Sequence, residues 1–284
     1  MKKYISILFL IIPLLMNAQM EVGLFAGVSN YRGELSPESF KGGLKQTHAN
    51  VGGIFRLGLS NYFGLSLNAN YGKISGNDAF ASTASRVNRN LSFKSNIFEA
   101  NLLLEFNILG FQPYNYTRTF SPYLFAGGAF YHYNPKTYFN NQWIELKDLG
   151  TEGQGIDGTA GKTYSTNQFS IPMGIGVKYA ITDKWVLGFK VGARMTFNDY
   201  IDDISTSYVA YDVLVANKGI DIANIADPSL NQVSQHLEGQ VVNRGDASKN
   251  DWYIIGGFFV TYVFADNGLV GARKKNRRGP GCYN

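Results

Sequence analysis

Apolar and polar residues alternate one for one in eight separate stretches of this chain, and a period of two predicts β-strands with unlike faces. In residues 20–32, Val22, Leu24, Ala26 and Val28 share one side against Glu21, Gly23, Gly27 and Ser29. Residues 47–60 set Val51, Gly53, Phe55, Leu57 and Leu59 against Asn50, Arg56 and Ser60. After a turn at Asn61 and Tyr62, residues 63–77 oppose Leu65, Leu67, Ala69 and Tyr71 to Ser66, Asn68 and Asn70. In residues 95–109, Phe98, Ala100, Leu102, Leu104, Phe106 and Ile108 face away from Glu99, Asn101, Glu105 and Asn107. A helix would also bury several of these, but the strict alternation favours a strand. Residues 121–133, 167–181, 185–198 and 251–265 complete the set, with aromatic residues recurring at the strand ends.

The connectors have their own rhythm. Those after the first, third, fifth and seventh strands are long: residues 33–46, 78–93, 134–166 and 199–250. Those after the second and sixth are tight, and residues 110–120 are intermediate. An antiparallel barrel crossing the outer membrane has short periplasmic turns and long extracellular loops. The expected fold is therefore all-β, an eight-stranded antiparallel transmembrane β-barrel of the OmpA/OmpX kind, spanning residues 20–265 with both termini in the periplasm. The longest loop exceeds what usually stays structureless, and residues 220–233 are its best helical stretch, divided by Pro228.

Composition changes the picture at a few points. Lys2 and Lys3, the apolar run from residue 5 to 16, and Asn17-Ala18-Gln19 read as an export signal over residues 1–19; the run is too short, and is broken by Pro13, for a membrane-spanning helix. No later run reaches the roughly 18 apolar residues a membrane helix needs, so strands must make any crossing. Charged residues are 17% of the chain, while Gly (32), Phe (20) and Tyr (18) are abundant, as strands, tight turns and membrane interfaces favour. A soluble eight-stranded barrel of the lipocalin kind would keep its apolar face inside, but here the charges share the other face. Arg56, Glu99, Glu105, Lys178, Lys190 and Arg194 are expected to form an ion-pair network inside the lumen, closing a bore just wide enough for side chains.

Candidate chemistry is sparse. His48, His132 and His236 lie in different segments without a local acid and nucleophile, so no enzyme, cofactor or small-molecule substrate is expected. Asp199, Asp202 and Asp203 are a possible calcium group, yet they lack the glycine-centred spacing of a calcium hand and read as the solvated top of a loop. Net charge is +5, too small and too local to imply nucleic acid. A tail over residues 266–284 carries Arg273, Lys274, Lys275, Arg277 and Arg278 before Gly-Pro-Gly and the single cysteine, Cys282. Such a tail is either an arm drawn to an acidic surface or a solvated end, and Cys282 reads as a free thiol more readily than as half of an intermolecular disulfide.

Three segments carry a family resemblance: Glu21-Val-Gly-Leu-Phe-Ala-Gly-Val-Ser-Asn-Tyr-Arg-Gly-Glu-Leu35, Leu91-Ser-Phe-Lys-Ser-Asn-Ile-Phe-Glu99 and Asn198-Asp-Tyr-Ile-Asp-Asp-Ile-Ser205. Together they make most of the mature chain resemble the PorG family of the type IX secretion system of Bacteroidota. The resemblance implies a non-enzymatic outer-membrane component, in contact with lipid, that associates with a periplasmic ring of the PorK lipoprotein and PorN. The basic tail, including Cys282, and the turn over residues 110–120 are then the available periplasmic surfaces. The alternative is a generic small barrel of the OmpX or OmpA type, acting in adhesion or envelope integrity through its loops.

Overall fold

The computed structural model describes residues 19–265 apart from 116 and 238, so nearly all of the expected signal segment and the whole basic tail lie outside the described residues. Eight long strands form a closed antiparallel barrel: β1 (Gln19–Arg32), β2 (His48–Gly58), β3 (Phe63–Asn77), β4 (Ser92–Asn107), β5 (Phe120–Phe139), β7 (Asn167–Ala180), β8 (Trp185–Thr196) and β9 (Trp252–Ala265). Each pairs with its neighbour along the chain, and β1 pairs with β9 to shut the ring, Val22 lying opposite both Phe55 and Tyr262. A short strand, β6 (Gln142–Glu145), folds back on the end of β5 as a hairpin outside the ring. The expected connector rhythm is present, with short and long links alternating between the two ends of the barrel.

Closure leaves no edge within the ring, which lets its strands cross lipid without unpaired backbone groups. The outward positions are the apolar ones: Leu24 is 69% exposed, Ile175 58% and Phe258 63%. From Phe63 to Tyr71 the outer face of β3 bears no charge, and Lys73 is the first one above it. At the rise and tilt of barrel strands this covers about 23 Å, close to the height of a membrane barrel's apolar band. Aromatic pairs mark both borders, with Phe63–Phe106 and Trp185–Tyr262 at the short-turn end and Phe130–Phe169 at the long-loop end. No helix among the described residues is long and apolar enough to cross a membrane.

The inner face is buried and mixed. Phe25, Phe125 and Phe259 lie across the bore, and glycines on facing strands make room for them. A Cβ on Gly174 or Gly192 would stand 2.6 Å from Phe125 Cζ, so any side chain there pushes that ring aside. Nearer the long loops the filler is tyrosine: Tyr31, Tyr131, Tyr133 and Tyr253 are all fully buried, with Tyr131 5.4 Å from Tyr253 between ring centres.

The long connectors are ordered. Helix α1 (Phe40–Lys45) follows β1, and α2 (Ala84–Arg89) precedes β4. The longest loop holds α3 (Tyr211–Lys218) and α4 (Ile220–Ala226). The helix expected over 220–233 ends before Pro228, whose ring disfavours helical geometry in the residue before it. Helix α3 was not foreseen because its sequence has no marked apolar face; of its residues only Leu214 is buried. Strand β5 runs six residues past its expected end at 133, to Phe139, because β6 continues the pairing there.

Candidate functional site

Two layers close the barrel. The lower layer is the ion-pair network, and the structure brings together all six charged residues expected in it. Near the short-turn end, Arg56 donates to Glu21 at 2.7 Å and lies 3.0 Å from a Glu105 oxygen, while Lys178 Nζ is 2.7 Å from the same carboxylate. Higher in the bore Arg194 meets Glu99 at 3.0 Å, and Tyr253 donates its hydroxyl to the same carboxylate at 2.7 Å. Lys190 differs from the expectation in having no carboxylate partner: it donates to Asn68 Oδ1 at 2.9 Å and sits 5.0 Å from the Phe25 ring. Asn68 donates to Asn101, and Asn101 to Glu99, so an amide chain links Lys190 to the upper ion pair.

Glu21 belongs to this network and was not singled out as a member. Its signal was legible, since it shares the polar side of β1 and pairs in register with Arg56 on β2. Thr261 donates to the oxygen that Arg56 holds and Gln19 to the other, so Glu21 ties β1, β2 and β9 where the ring closes. Beneath it the connector over 108–119 turns up under the barrel, with buried Phe111 placing its ring 5.3 Å from Lys178 Nζ.

These buried, mutually bonded side chains fill the bore, as the width of an eight-stranded barrel leads one to expect. Protein reconstituted in a planar bilayer is accordingly expected to show no stable conductance steps, and steady open-channel currents would refute the seal.

The upper layer is a cap made by the long loops, and here the sequence reading needs correction. Asp199, Asp202 and Asp203, read as a solvated loop top, are 8%, 1% and 1% exposed. The segment dips into the barrel mouth because Ile201 and Ile204 are apolar and pack in the main core. Asp203 accepts Thr151 Oγ1 and Tyr164 OH, each at 2.6 Å. Burial pushes its carboxyl up to about 6, with the Arg244 charge opposing the rise. Tyr164 stacks on Tyr200 at 4.8 Å, and burial together with the Asp203 charge raises its phenol further.

Glu152 and Arg244 are the centre of the cap, and neither was anticipated. Glu152 accepts the backbone N–H groups of Ser205 and Thr206 at 2.9 and 3.0 Å. Arg244 bonds Glu152 at 3.1 Å, the Asp203 carbonyl at 2.6 Å and the Ala226 carbonyl at 3.2 Å. One guanidinium thus joins three loop segments that are distant in sequence, and no local motif announces such an arrangement. A separate acidic group, Glu34, Asp202 and Asp251, converges at the mouth itself and offers the only carboxylate cluster of metal-ligating type found among the described residues.

The histidines stay apart. His48 Nε2 contacts Ser75 Oγ at 2.7 Å, and His132, on the outer face, contacts Asn167 at 2.9 Å. Neither is bonded to a carboxylate. The tail residues Arg273, Lys274, Lys275, Arg277, Arg278 and Cys282 lie outside the described residues.

Closed ring, apolar band, aromatic borders and polar filled bore together define a small transmembrane β-barrel. The chain belongs to the family described as "Domain of unknown function (DUF6089)", whose model matches residues 1–218. No curated protein matches it. Among solved structures it is similar to Ail, the attachment invasion locus protein of Yersinia pestis, crystallised with the heparin analogue sucrose octasulfate, at 8% identity and a TM-score of 0.41 over 87% of this chain and 99% of that one. It is also similar to the outer membrane protein OprG of Pseudomonas aeruginosa, at 10% identity and a TM-score of 0.39 over 87% and 98%. The Escherichia coli outer membrane protein W gives 14% identity and a TM-score of 0.35 over the same shares.

Proposed function

We propose that this chain is an outer-membrane barrel that works by contact, as the membrane component of a type IX secretion apparatus, associating with periplasmic ring proteins of the PorK and PorN type. The observation that carries the reading is the filled bore: with Glu21, Arg56, Glu105 and Lys178 locked together below and the loop cap above, the barrel's surfaces are what it offers a partner. The resemblance of residues 21–35, 91–99 and 198–205 to PorG supports the particular apparatus. The short-turn end, where Met20 lies opposite Ala265, is the periplasmic one under the usual orientation of such barrels, so both ends of the chain would leave the membrane beside the ring. The basic tail then supplies an electrostatic handle for an acidic partner surface.

The test is gentle detergent extraction followed by identification of co-purifying proteins, in the full chain and in a chain lacking residues 273–284. The ring proteins are expected with the full chain. The truncated chain is expected to fold, to lose the ring proteins and to secrete poorly; normal secretion would count against a tail-mediated anchor. A second reading, adhesion or envelope integrity through the loops, is favoured by Phe40, Leu230 and Val241, which are 81%, 70% and 82% exposed in connector segments. It requires co-purifying partners that persist without the tail and vanish when those loop residues are changed to serine.

A further inference from the structure

Three carboxylates meet at the barrel mouth without a cationic side chain bonded to any of them. Glu34 follows β1, Asp202 lies in the loop after β8, and Asp251 precedes β9; one oxygen from each lies within 4.8 Å of the others. The protein holds two of them firmly in place. Asp202 Oδ1 accepts the Ile204 N–H at 3.0 Å, and Asp251 Oδ2 accepts the Ile201 N–H at 2.9 Å. Their other oxygens both contact the Tyr31 hydroxyl, at 2.7 and 2.5 Å, and that hydroxyl has one proton for two acceptors. Gly33 makes the close approach possible, since a Cβ there would stand 1.9 Å from both Asp251 Oδ1 and the Tyr31 oxygen.

A second observation is independent of that cluster's own bonds. Asp199 is 8% exposed, and the Ser205 hydroxyl is the one side-chain donor that acts on its carboxylate, outside regular hydrogen-bond geometry. The Asn198 carbonyl accepts the Asp251 N–H at 3.2 Å, and the Asp199 carboxylate lies near enough to interact with the charges of Glu34 and Asp251. Glu34 Oε2 is likewise a buried oxygen without a partner. Buried carboxylate oxygens without a partner are destabilising unless a proton or a cation satisfies them.

The nearby cations bond other side chains, though the Arg89 charge still reaches Glu34 and Asp202. Arg89 bonds both oxygens of Asp78, at 2.7 and 2.9 Å, and Arg244 serves Glu152. Lys249 pairs with Asp246, which lies on the Glu34 side of the group. The donors are all oxygen, which excludes a soft metal, and they come from three separate chain segments, which suits the adaptable six- to eight-fold shell of calcium better than the rigid octahedron of magnesium. A calcium ion at about 2.4 Å from each ligand bridges oxygens up to about 4.8 Å apart.

We propose that Glu34, Asp202 and Asp251, with Asp199 beside them, form a Ca2+ site that fastens the loops after β1 and β8 to the start of β9. Water and backbone carbonyls complete the shell. The site is independent of the secretion role proposed above.

The experiment uses the full chain folded in detergent, stripped with a calcium chelator and titrated with CaCl2 or MgCl2 by calorimetry at pH 7, with terbium luminescence and its displacement by calcium as a second reading on the wild-type protein. One calcium per chain is expected, with a dissociation constant on the order of 10⁻⁶ to 10⁻⁴ M, clear preference over magnesium, and a rise in Tm. Asp202→Asn and Glu34→Gln are each expected to weaken binding at least tenfold while circular dichroism reports an intact barrel. The proposal fails if the wild-type chain shows neither heat nor terbium signal up to millimolar ion, or if Asp202→Asn binds calcium like the wild type. It fails equally if calcium leaves Tm unchanged and Asp202→Asn raises it, since the cluster would then be holding shared protons. Should the variants not fold, the wild-type titrations decide.

Discussion

Replacing Glu105 with alanine is expected to cost the barrel about 3–5 kcal/mol of folding stability, the largest effect of any single change to a lumen charge. Its carboxylate stands between two buried cations, Arg56 and Lys178. Arg56 would keep Glu21 at 2.7 Å and the Phe259 ring at 4.9 Å. Lys178 would keep only the faces of Tyr123, at 4.5 Å, and Phe111, at 5.3 Å, and a cation–π contact replaces a fraction of a lost buried carboxylate. The damage is thus the stranded Lys178, more than the missing attraction. Adding Lys178→Met to Glu105→Ala should therefore recover most of the loss, because removing both members of a buried pair leaves nothing unsatisfied. Urea titration in lipid vesicles, followed by tryptophan fluorescence, measures both variants. A coupling energy below about 1 kcal/mol between the two positions would show that Lys178 does not depend on Glu105.

Arg244→Met is expected to release the cap and spare the barrel. The guanidinium is 3% exposed and is bonded to Glu152, Asp203 and Ala226, so its removal leaves Glu152 buried without its counter-charge. A penalty of about 3–4 kcal/mol confined to the cap raises local opening on the order of 10² to 10³ fold. Hydrogen exchange should accelerate by that factor in the loops over 146–165 and 199–250, while strand amides keep wild-type rates. Uniform acceleration through the strands would mean that cap and barrel open as one unit.

The contrast between these variants follows what the sequence did and did not disclose. Strand positions were legible because lipid on one side and a filled bore on the other force the same alternation in every strand. Within such a strand a charged residue on the polar side can only point inward, which is why Glu99, Glu105 and Arg194 could be placed by parity alone. Parity also put Glu21 on the inner side of β1, but which charge meets which depends on register and on the width of the bore, so Lys190 meeting Asn68 was beyond parity. The loops obey no such rule. The run from Asn198 to Ser205 is rich in carboxylates, which ordinarily means solvent, yet Ile201 and Ile204 draw it into the mouth. Its burial rests on Glu152 and Arg244, distant in the chain on either side, and no periodicity links such positions.

The pairing pattern inside the bore also dictates how this protein enters a membrane. Glu105 on β4 meets Lys178 on β7, Glu99 meets Arg194 on β8, and Glu21 on β1 reaches Thr261 on β9. Within the bore only the β1–β2 hairpin carries a counter-charge pair of its own, Glu21 with Arg56, so inserting the β3–β4 or β7–β8 hairpin alone would bring unpaired ions as well as unpaired amides into hydrocarbon. Stepwise threading is therefore closed to it. The ring is expected to assemble at the interface and sink as it shuts, with Glu105 and Glu99 on β4 neutralised once β7 and β8 come across the bore to meet them.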